Sequence, residues 1–245
     1  VSNLMWSWKP FTDQLWAAIE TEGKPQRRSS APPRQVWTRQ IRIALEFIST
    51  FLLKAGHHVE RVYRLSSYTE SHAMMVFVFD ASPFGLGAVA YHYGTPVAYI
   101  CDQLTADDFE IWNHSLGQAA GQQTWEALIV LVAMKAWSKL WSHHRFTLAF
   151  KGDNITALTM TLKYKAPPGN VRAIARELAL VMSDSTFEPV VYEHVPGIAN
   201  VVADKLSRKW DPRYQDTWTL PEELSKVTQT VVPRRGREYY ALRPH

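Results

Sequence analysis

The sequence predicts an α/β fold: a five-stranded mixed sheet flanked by helices and preceded by a helical extension. Three observations support this fold class. The apolar run AMMVFVF at residues 73–79 ends at an acidic residue and is typical of a buried strand. Two further short apolar segments follow across tight turns, which indicates an antiparallel meander. Two later strand-like segments are each preceded by helical ones, so they are expected to return parallel to the first strand.

The first 72 residues are predicted to form a separate helical segment. A helix is expected around residues 11–21, followed by a polar, proline-rich linker at 23–34. A second helix is expected at 37–55, because its apolar residues recur at spacings of three and four before Gly56. This segment has apolar mass of its own to bury, including four tryptophans: Trp6, Trp8, Trp16 and Trp37.

The elements of the sheet domain follow in the order βββ-α-β-α-α-β-α. The residues SPFGLG at 82–87 are typical of a turn, and a polar loop is expected across 102–123. After the first strand, the remaining strands are expected at 88–93, 97–100, 146–150 and 189–194. The helices are expected at 124–141, 155–162, 171–182 and 200–208.

Charge is distributed unevenly along the 245 residues, whose net charge is +4. Residues 1–72 carry +4, residues 73–204 carry −4 and residues 205–245 carry +4. An acidic centre between basic flanks is typical of a metal-binding core whose surroundings face nucleic acid, although solvated surface charge also produces this balance.

Other features narrow the class of protein. Cys101 is the single cysteine, so the chain has no disulfide framework. No apolar run reaches the roughly 18 residues that a membrane span needs, and the N-terminus lacks a secretory signal pattern. Because the sequence also lacks an initiator methionine, we expect a piece of a longer polyprotein.

Four carboxylates occupy matching places on the predicted elements. Asp80 ends the first strand, Asp153 follows the fourth, and Glu126 and Asp204 open helices. Strand ends and helix starts gather at one edge of such a sheet, where the four acids would repel one another unless cations neutralise them. Hard divalent ions such as Mg²⁺ take oxygen ligands, and two ions about 4 Å apart promote phosphodiester hydrolysis. Each acid alone also fits a turn or a helix N-terminus.

Four segments together carry a family resemblance. They are VFDASPFGLGAVA at 78–90, QTWEALI at 123–129, FKGDNITAL at 150–158 and HVPGIANVVADKLSR at 194–208. Over about residues 76–208 the chain resembles the RNase H domain of reverse transcriptases from DIRS-like and LTR-type retroelements. The last segment is the most specific. The chain departs from the family pattern at Gly152, where a threonine or serine is common, and at the bulky Trp125.

The resemblance implies hydrolysis of the RNA strand in RNA–DNA hybrids. It implies four catalytic metal ligands, Asp80, Glu126, Asp153 and Asp204, that hold two Mg²⁺ ions, with Mn²⁺ as the alternative ion. It also implies that His194 assists proton transfer or product release, as suits an imidazole. The expected substrate-binding residues are Ser82, Asn154 and Asn200. The expected partners are the hybrid and an upstream polymerase domain of the same polyprotein, in the cytoplasm or nucleus rather than a membrane or the outside of the cell.

Three domains are therefore predicted. Residues 1–72 resemble a thumb or connection segment, and residues 73–210 form the RNase H-like domain. Residues 211–245 form a basic tail that either contacts nucleic acid or links to another domain; the residues in question are Arg234, Arg235, Arg237, Tyr239 and Tyr240.

Two other functions stay open at the level of sequence. A catalytically weak or inactive module would keep the fold and bind nucleic acid. A transposase or junction resolvase would use similar acids on another substrate, but the H-x-P-G-x-x-N-x-x-A-D form argues against this. The intact acid set favours catalysis, because a binding module has no physical reason to keep four mutually repelling carboxylates together.

Overall fold

A computed structural model describes residues 35–54, 73–138, 146–154, 169–183, 188–194 and 200–241, together with residues 15, 32 and 157. The first helix, α1 (Thr38–Lys54), confirms the helix predicted at 37–55. The helix expected at 11–21, the linker at 23–34 and the short helix at 155–162 lie outside the described residues, apart from single positions.

Five strands form one mixed sheet in the order β3-β2-β1-β4-β5. They are β1 (Ala73–Ala81), β2 (Gly85–His92), β3 (Thr95–Gln103), β4 (Phe146–Gly152) and β5 (Glu188–His194). The pairs β1–β2 and β2–β3 are antiparallel, whereas β1–β4 and β4–β5 are parallel. The predicted meander followed by two parallel strands is therefore confirmed, and the architecture is that of an α/β domain with a mixed sheet.

Helices cover both faces of the sheet. They are α2 (Ala106–Trp112), α3 (Gln122–Trp137), α4 (Asn170–Ser183) and α5 (Val201–Ser207). Alternate side chains of β2 and β3 belong to two different apolar clusters, because successive residues of a strand point to opposite faces. Helices α3 and α4 contribute to the larger cluster, and α5 with residues of the following segment contributes to the smaller one.

Helix α3 is buried on nearly all sides, which explains why its sequence is almost continuously apolar. Its residues Ala127 to Met134 are at most 2% exposed. A helix that is apolar all round belongs in a protein core rather than on its surface. Helix α3 contacts α4 as well as β1 and β2, so it lies between the sheet and a second helix. Within the described residues, no helix combines the length and the apolar composition needed to cross a membrane.

Helix α2 lies within the segment that was predicted to be a polar loop, so that prediction is wrong. The sequence T-A-D-D begins the helix: the Asp108 carboxylate accepts a hydrogen bond from the backbone N–H of Thr105 at 2.8 Å. This is one half of a capping box, in which a side chain three residues into the helix satisfies the capping residue. Asp108 is also buried against Arg235, a contact across 127 positions that local patterns do not reveal.

The segment after residue 210 is part of the folded domain, and this corrects the expectation of a tail or linker. Arg235 is buried and forms ion pairs with Asp102 and Asp108. Thr230 donates its backbone N–H to the carbonyl of Tyr99 at 2.8 Å, so the segment runs along the exposed edge of β3. Covering an edge strand in this way blocks its pairing with other chains. The domain therefore extends at least to residue 241.

Candidate active site

Three acidic side chains from different elements converge at one edge of the sheet. Asp80 lies near the end of β1, Asp153 directly follows β4, and Glu126 lies in α3. One carboxylate oxygen of each residue lies within 4.8 Å of the others. The carboxyl ends of β1 and β4 coincide because these strands are parallel neighbours. The structure thus brings together three of the four acids that the sequence predicted.

Asp204, the fourth predicted acid, lies beside this group in α5. It is not among the three residues whose oxygens lie within 4.8 Å of one another. Its Oδ1 atom accepts a hydrogen bond from Arg208 Nε at 2.6 Å, and its charge contributes to raising the pKa of Asp80. Asp204 therefore belongs to the same electrostatic site, with a cation already paired to it.

Glycine at position 87 allows α5 to approach the site. Gly87 pairs with Asp80 across β1 and β2. A Cβ atom at this position would overlap the backbone of Ala203 and Ser207 in α5. The second glycine of the G-L-G turn therefore keeps a helix in direct contact with the strand, and this contact places Asp204 next to Asp80.

Ser207 holds the Asp80 carboxylate, a role that the sequence analysis missed. Its hydroxyl donates to Asp80 Oδ2 at 2.6 Å, and the side chain is fully buried. The signal was present in the L-S-R residues of the last motif, but nothing local connects residue 207 to residue 80. A hydrogen bond to the charged form stabilises it, so Ser207 lowers the pKa of Asp80 against the effect of burial.

The three predicted substrate-binding residues all contact protein backbone. The buried Ser82 hydroxyl donates to the Ser207 carbonyl at 2.7 Å and accepts from the N–H groups of Phe84 and Gly85. The buried Asn200 donates its Nδ2 to the carbonyl of Phe79 at 3.0 Å, and Asn154 Oδ1 accepts from the N–H of Ala157 at 3.0 Å. We interpret Ser82 and Asn200 as positioning residues that join the β1 end to α5.

His194 is placed beside the site by the sheet register. It ends β5, and its Cα is paired with that of Gly152, the residue before Asp153. Its side chain lies outside the described part of the structure. The predicted role of His194 in proton transfer stays a prediction.

Burial gives two of the carboxyl groups unusual proton affinity. It raises the pKa of Asp80 to about 7, and the charges of Asp204 and Asp153 act in the same direction. Burial also raises the pKa of Glu126 well above its ordinary value, and the charges of Asp80 and Asp153 raise it further. A carboxylate is destabilised when it leaves water without a compensating cation.

A divalent cation fits this donor set. Glu126 Oε1 accepts a hydrogen bond from Gln122 Nε2 at 2.6 Å, whereas the buried Oε2 has no hydrogen-bond partner among the described residues. A buried oxygen without a partner is costly. Hard divalent ions take carboxylate oxygens, so Asp80, Glu126 and Asp153 could bind one.

The pH dependence of stability should report this uncompensated charge. The Asp80 pKa rises from 3.8 to about 7 on folding, so the folded protein binds more protons than the unfolded chain between these values. We therefore expect the free energy of unfolding of the metal-free protein to fall as pH rises through this window, by on the order of 4 kcal/mol. Urea unfolding in EDTA across the window measures it.

The control for this prediction is the Asp80→Asn variant, whose stability should change less over the same range because residue 80 no longer titrates. A divalent ion at about 100 times its dissociation constant should stabilise the parent protein at neutral pH by about 2.7 kcal/mol. A stability of the metal-free parent that increases with pH in this window would contradict the assignment.

Comparisons with known proteins report structural likeness at low identity. No protein-family model and no curated protein sequence matches the chain. The solved structure of LC11-RNase H1, isolated from compost by a metagenomic approach, aligns with 12% identity and a TM-score of 0.40, covering 60% of this chain and 99% of that one. RNase H1 of the archaeon Halobacterium salinarum aligns with 15% identity and a TM-score of 0.38, covering 57% of this chain and 96% of that one.

A viral structure aligns over more of this chain. The foamy viral protease-reverse transcriptase dRH, solved in complex with double-stranded DNA, shows 16% identity and a TM-score of 0.34. The alignment covers 80% of this chain and 31% of the viral one. The sheet topology and the acidic group of this chain define an α/β protein with a five-stranded mixed sheet and a candidate site for divalent metal.

Proposed function

We propose that this chain is a metal-dependent endoribonuclease that cleaves the RNA strand of RNA–DNA hybrids, as the RNase H part of a retroelement reverse transcriptase. The observation that carries the proposal is the convergence of Asp80, Glu126 and Asp153 within 4.8 Å at the carboxyl edge of the sheet. Asp204 adds a fourth charge beside them. The four sequence motifs that resemble retroelement RNase H domains contain these four acids.

The proposed metal ligands are Asp80, Glu126, Asp153 and Asp204, and the proposed ions are two Mg²⁺. Bound ions of this kind supply an activated water and neutralise charge on the leaving oxygen of a phosphodiester. The protein keeps its own ligands oriented: Ser207 fixes Asp80, and Gln122 fixes one oxygen of Glu126. Such fixed orientation reduces the reorganisation that the reaction requires.

Gln122 also ties the site to the end of β1. Its Nε2 atom lies 2.6 Å from both Glu126 Oε1 and the carbonyl of Ala81, so one amide group joins α3 to the strand that carries Asp80. In the proposed mechanism His194 accepts or returns a proton at the edge of the site. This role is supported by its register position beside Gly152 and by the near-neutral titration of imidazole.

Cleavage of a labelled RNA–DNA hybrid by the purified chain tests the proposal. We expect the RNA strand to be cut in Mg²⁺ or Mn²⁺ and to stay intact in EDTA. Calcium should raise the melting temperature without supporting cleavage, because it tolerates looser coordination than Mg²⁺. The same hybrid labelled on its DNA strand is the control, and metal-independent cutting or equal cutting of both strands would contradict the proposal.

The same assay separates the nuclease from a binding module. If the folded chain binds the hybrid and does not cut it, two explanations remain: an inactive binding module, or a nuclease domain that needs its polymerase. Adding the upstream polymerase region then distinguishes them, since only a dependent nuclease gains activity.

A further inference from the structure

A cluster of cations and an exposed aromatic ring follows α5 directly. This cation–aromatic patch consists of Arg208, Lys209, Arg213 and Tyr214. The guanidinium carbons of Arg208 and Arg213 lie 5.8 and 5.7 Å from the centre of the Tyr214 ring. These distances are within the range of cation–π attraction, so the ring restrains both arginines.

Contacts with neighbouring residues attach the patch to the domain. Lys209 Nζ lies 5.1 Å from the ring centres of both Trp210 and Trp218. Trp218 Nε1 donates to the Lys205 carbonyl of α5 at 2.6 Å, and consecutive turns connect residues 211 to 218. A surface whose side chains are already restrained loses less conformational entropy on binding a partner.

The patch is also exposed and carries unused donors. The Arg213 side chain is 69% exposed, and Tyr214 is 39% exposed. Asp211 binds Arg213 through Nε and Nη2 and thereby orients the guanidinium. In the part of the chain that the structure describes, Arg208 bonds an acceptor only through Nε, which leaves its terminal nitrogens available.

The patch borders the acidic site. Arg208 contacts Asp204 at 2.6 Å and Tyr214 within cation–π range, so a single side chain belongs to both the site and the patch. Cations next to an acidic metal site offset its repulsion of a polyanion and provide charge-assisted bonds to phosphate oxygens.

The other basic cluster, near the C-terminus, is largely occupied by internal contacts. Arg234 forms an ion pair with Asp107, and Arg235 is buried between Asp102 and Asp108. Tyr240 is buried against Trp112. These are three of the five residues that the sequence suggested for phosphate contact and stacking, and their contacts within the domain favour the patch after α5 for that role.

We propose that the cation–aromatic patch binds the sugar–phosphate backbone of the RNA–DNA hybrid next to the cleavage site. The inference rests on the proposed function for the identity of the nucleic acid. Its test uses binding rather than cutting, so the two can fail separately.

The experiment measures binding of a labelled RNA–DNA hybrid by fluorescence anisotropy in Ca²⁺, with the RNA checked for integrity afterwards. Tyr214→Ala should weaken binding about 3- to 10-fold, because both arginines lose the ring that restrains them. Tyr214→Phe keeps the ring and should bind as the parent does.

Salt dependence gives an independent measurement. Lys209→Gln should reduce the slope of log affinity against log salt by about 1, as expected when one phosphate contact is lost. Lys226→Gln removes the same charge from an exposed position elsewhere in the C-terminal segment and should leave the slope unchanged. Melting curves of all four variants establish that each is folded.

The proposed role of the patch would be wrong if the folded variants Tyr214→Ala and Lys209→Gln both bound with the affinity and salt slope of the parent. It would also be wrong if the parent did not bind the hybrid at all. If the parent binds the hybrid through the patch but does not cut RNA in Mg²⁺, the binding proposal is supported and the proposed nuclease function is contradicted. If the parent cuts RNA but the patch variants bind the hybrid as the parent does, the nuclease function is supported and the binding role of the patch is contradicted.

Discussion

Asp80→Asn is expected to reduce the rate of RNA-strand cleavage by about 10³-fold or more, equivalent to at least about 4 kcal/mol in the activation free energy. Asparagine has nearly the same shape but carries no charge. Asp80 connects the acidic group to α5. One of its carboxylate oxygens lies within 4.8 Å of oxygens of Glu126 and Asp153, and its carboxylate also accepts the hydrogen bond of Ser207. Replacing it removes the charge of a proposed metal ligand from the centre of the acidic group.

The same variant should fold, and at neutral pH without metal it should be more stable than the parent. Burial raises the pKa of Asp80 to about 7, which means that the charged form is disfavoured in the folded state. A neutral side chain avoids this cost. Loss of activity together with a higher melting temperature in EDTA is difficult to obtain from general damage to the fold, so the two measurements together are more informative than either alone.

The matched control is Asp216→Asn, which makes the same chemical change at an exposed position of the described structure. It should cut at the parental rate and melt at the parental temperature. Cleavage by Asp80→Asn at the parental rate would show that the acidic group at the sheet edge is not the catalytic site, even if the chain is a nuclease.

Local sequence was sufficient to predict the sheet. The β1 strand is a continuous apolar run, and β2 and β3 follow it across short turns, so their pairing depends on neighbours in the chain. The positions of Asp80 and Asp153 also followed from the strands that they end. Parallel neighbours bring equivalent ends together, which makes the convergence of two acids a consequence of topology.

Contacts between distant segments were not predictable in the same way. Ser207 bonds to Asp80 across 127 positions, and Asp108 depends on Arg235 across 127 positions. The periodicity of apolar residues in the sequence does not reveal pairs of residues that are so far apart in the chain. The basic residues near the C-terminus look like a solvated tail in the sequence because nothing local marks Arg235 as different from its exposed neighbour Arg234.

The predicted substrate contacts show a related limit. The resemblance implied that Ser82 and Asn200 bind substrate, and both residues lie in motifs that also contain one of the four acids. Both are buried, however, and a buried polar group must find hydrogen-bond partners in the protein. The Ser82 hydroxyl bonds to α5 and to its own turn, and Asn200 bonds to β1. Proximity to a site in the sequence therefore did not distinguish a substrate contact from a positioning contact.

Arg235→Ala is expected to destabilise the protein by about 3–5 kcal/mol, the range seen when one partner of a buried ion pair is removed. Arg235 is 2% exposed and Asp108 is fully buried, so the substitution leaves a buried charge without its cation. It also removes the bonds to Asp102 and to the carbonyl of Gln103. The free energy of unfolding from urea titration measures the loss.

Arg237→Ala is the matched control, because it removes the same residue type two positions further along the segment. Among the described residues, the Arg237 side chain pairs only with Glu110, at 3.7 Å and exposed to solvent, and exposed pairs contribute little. Its stability should equal that of the parent. If Arg235→Ala were as stable as Arg237→Ala, the C-terminal segment would be a dispensable addition to the domain. A large loss confined to Arg235 would instead show that residues beyond 210 hold α2 and the β3 edge in place, so that a fragment ending at residue 210 would lack part of its own fold.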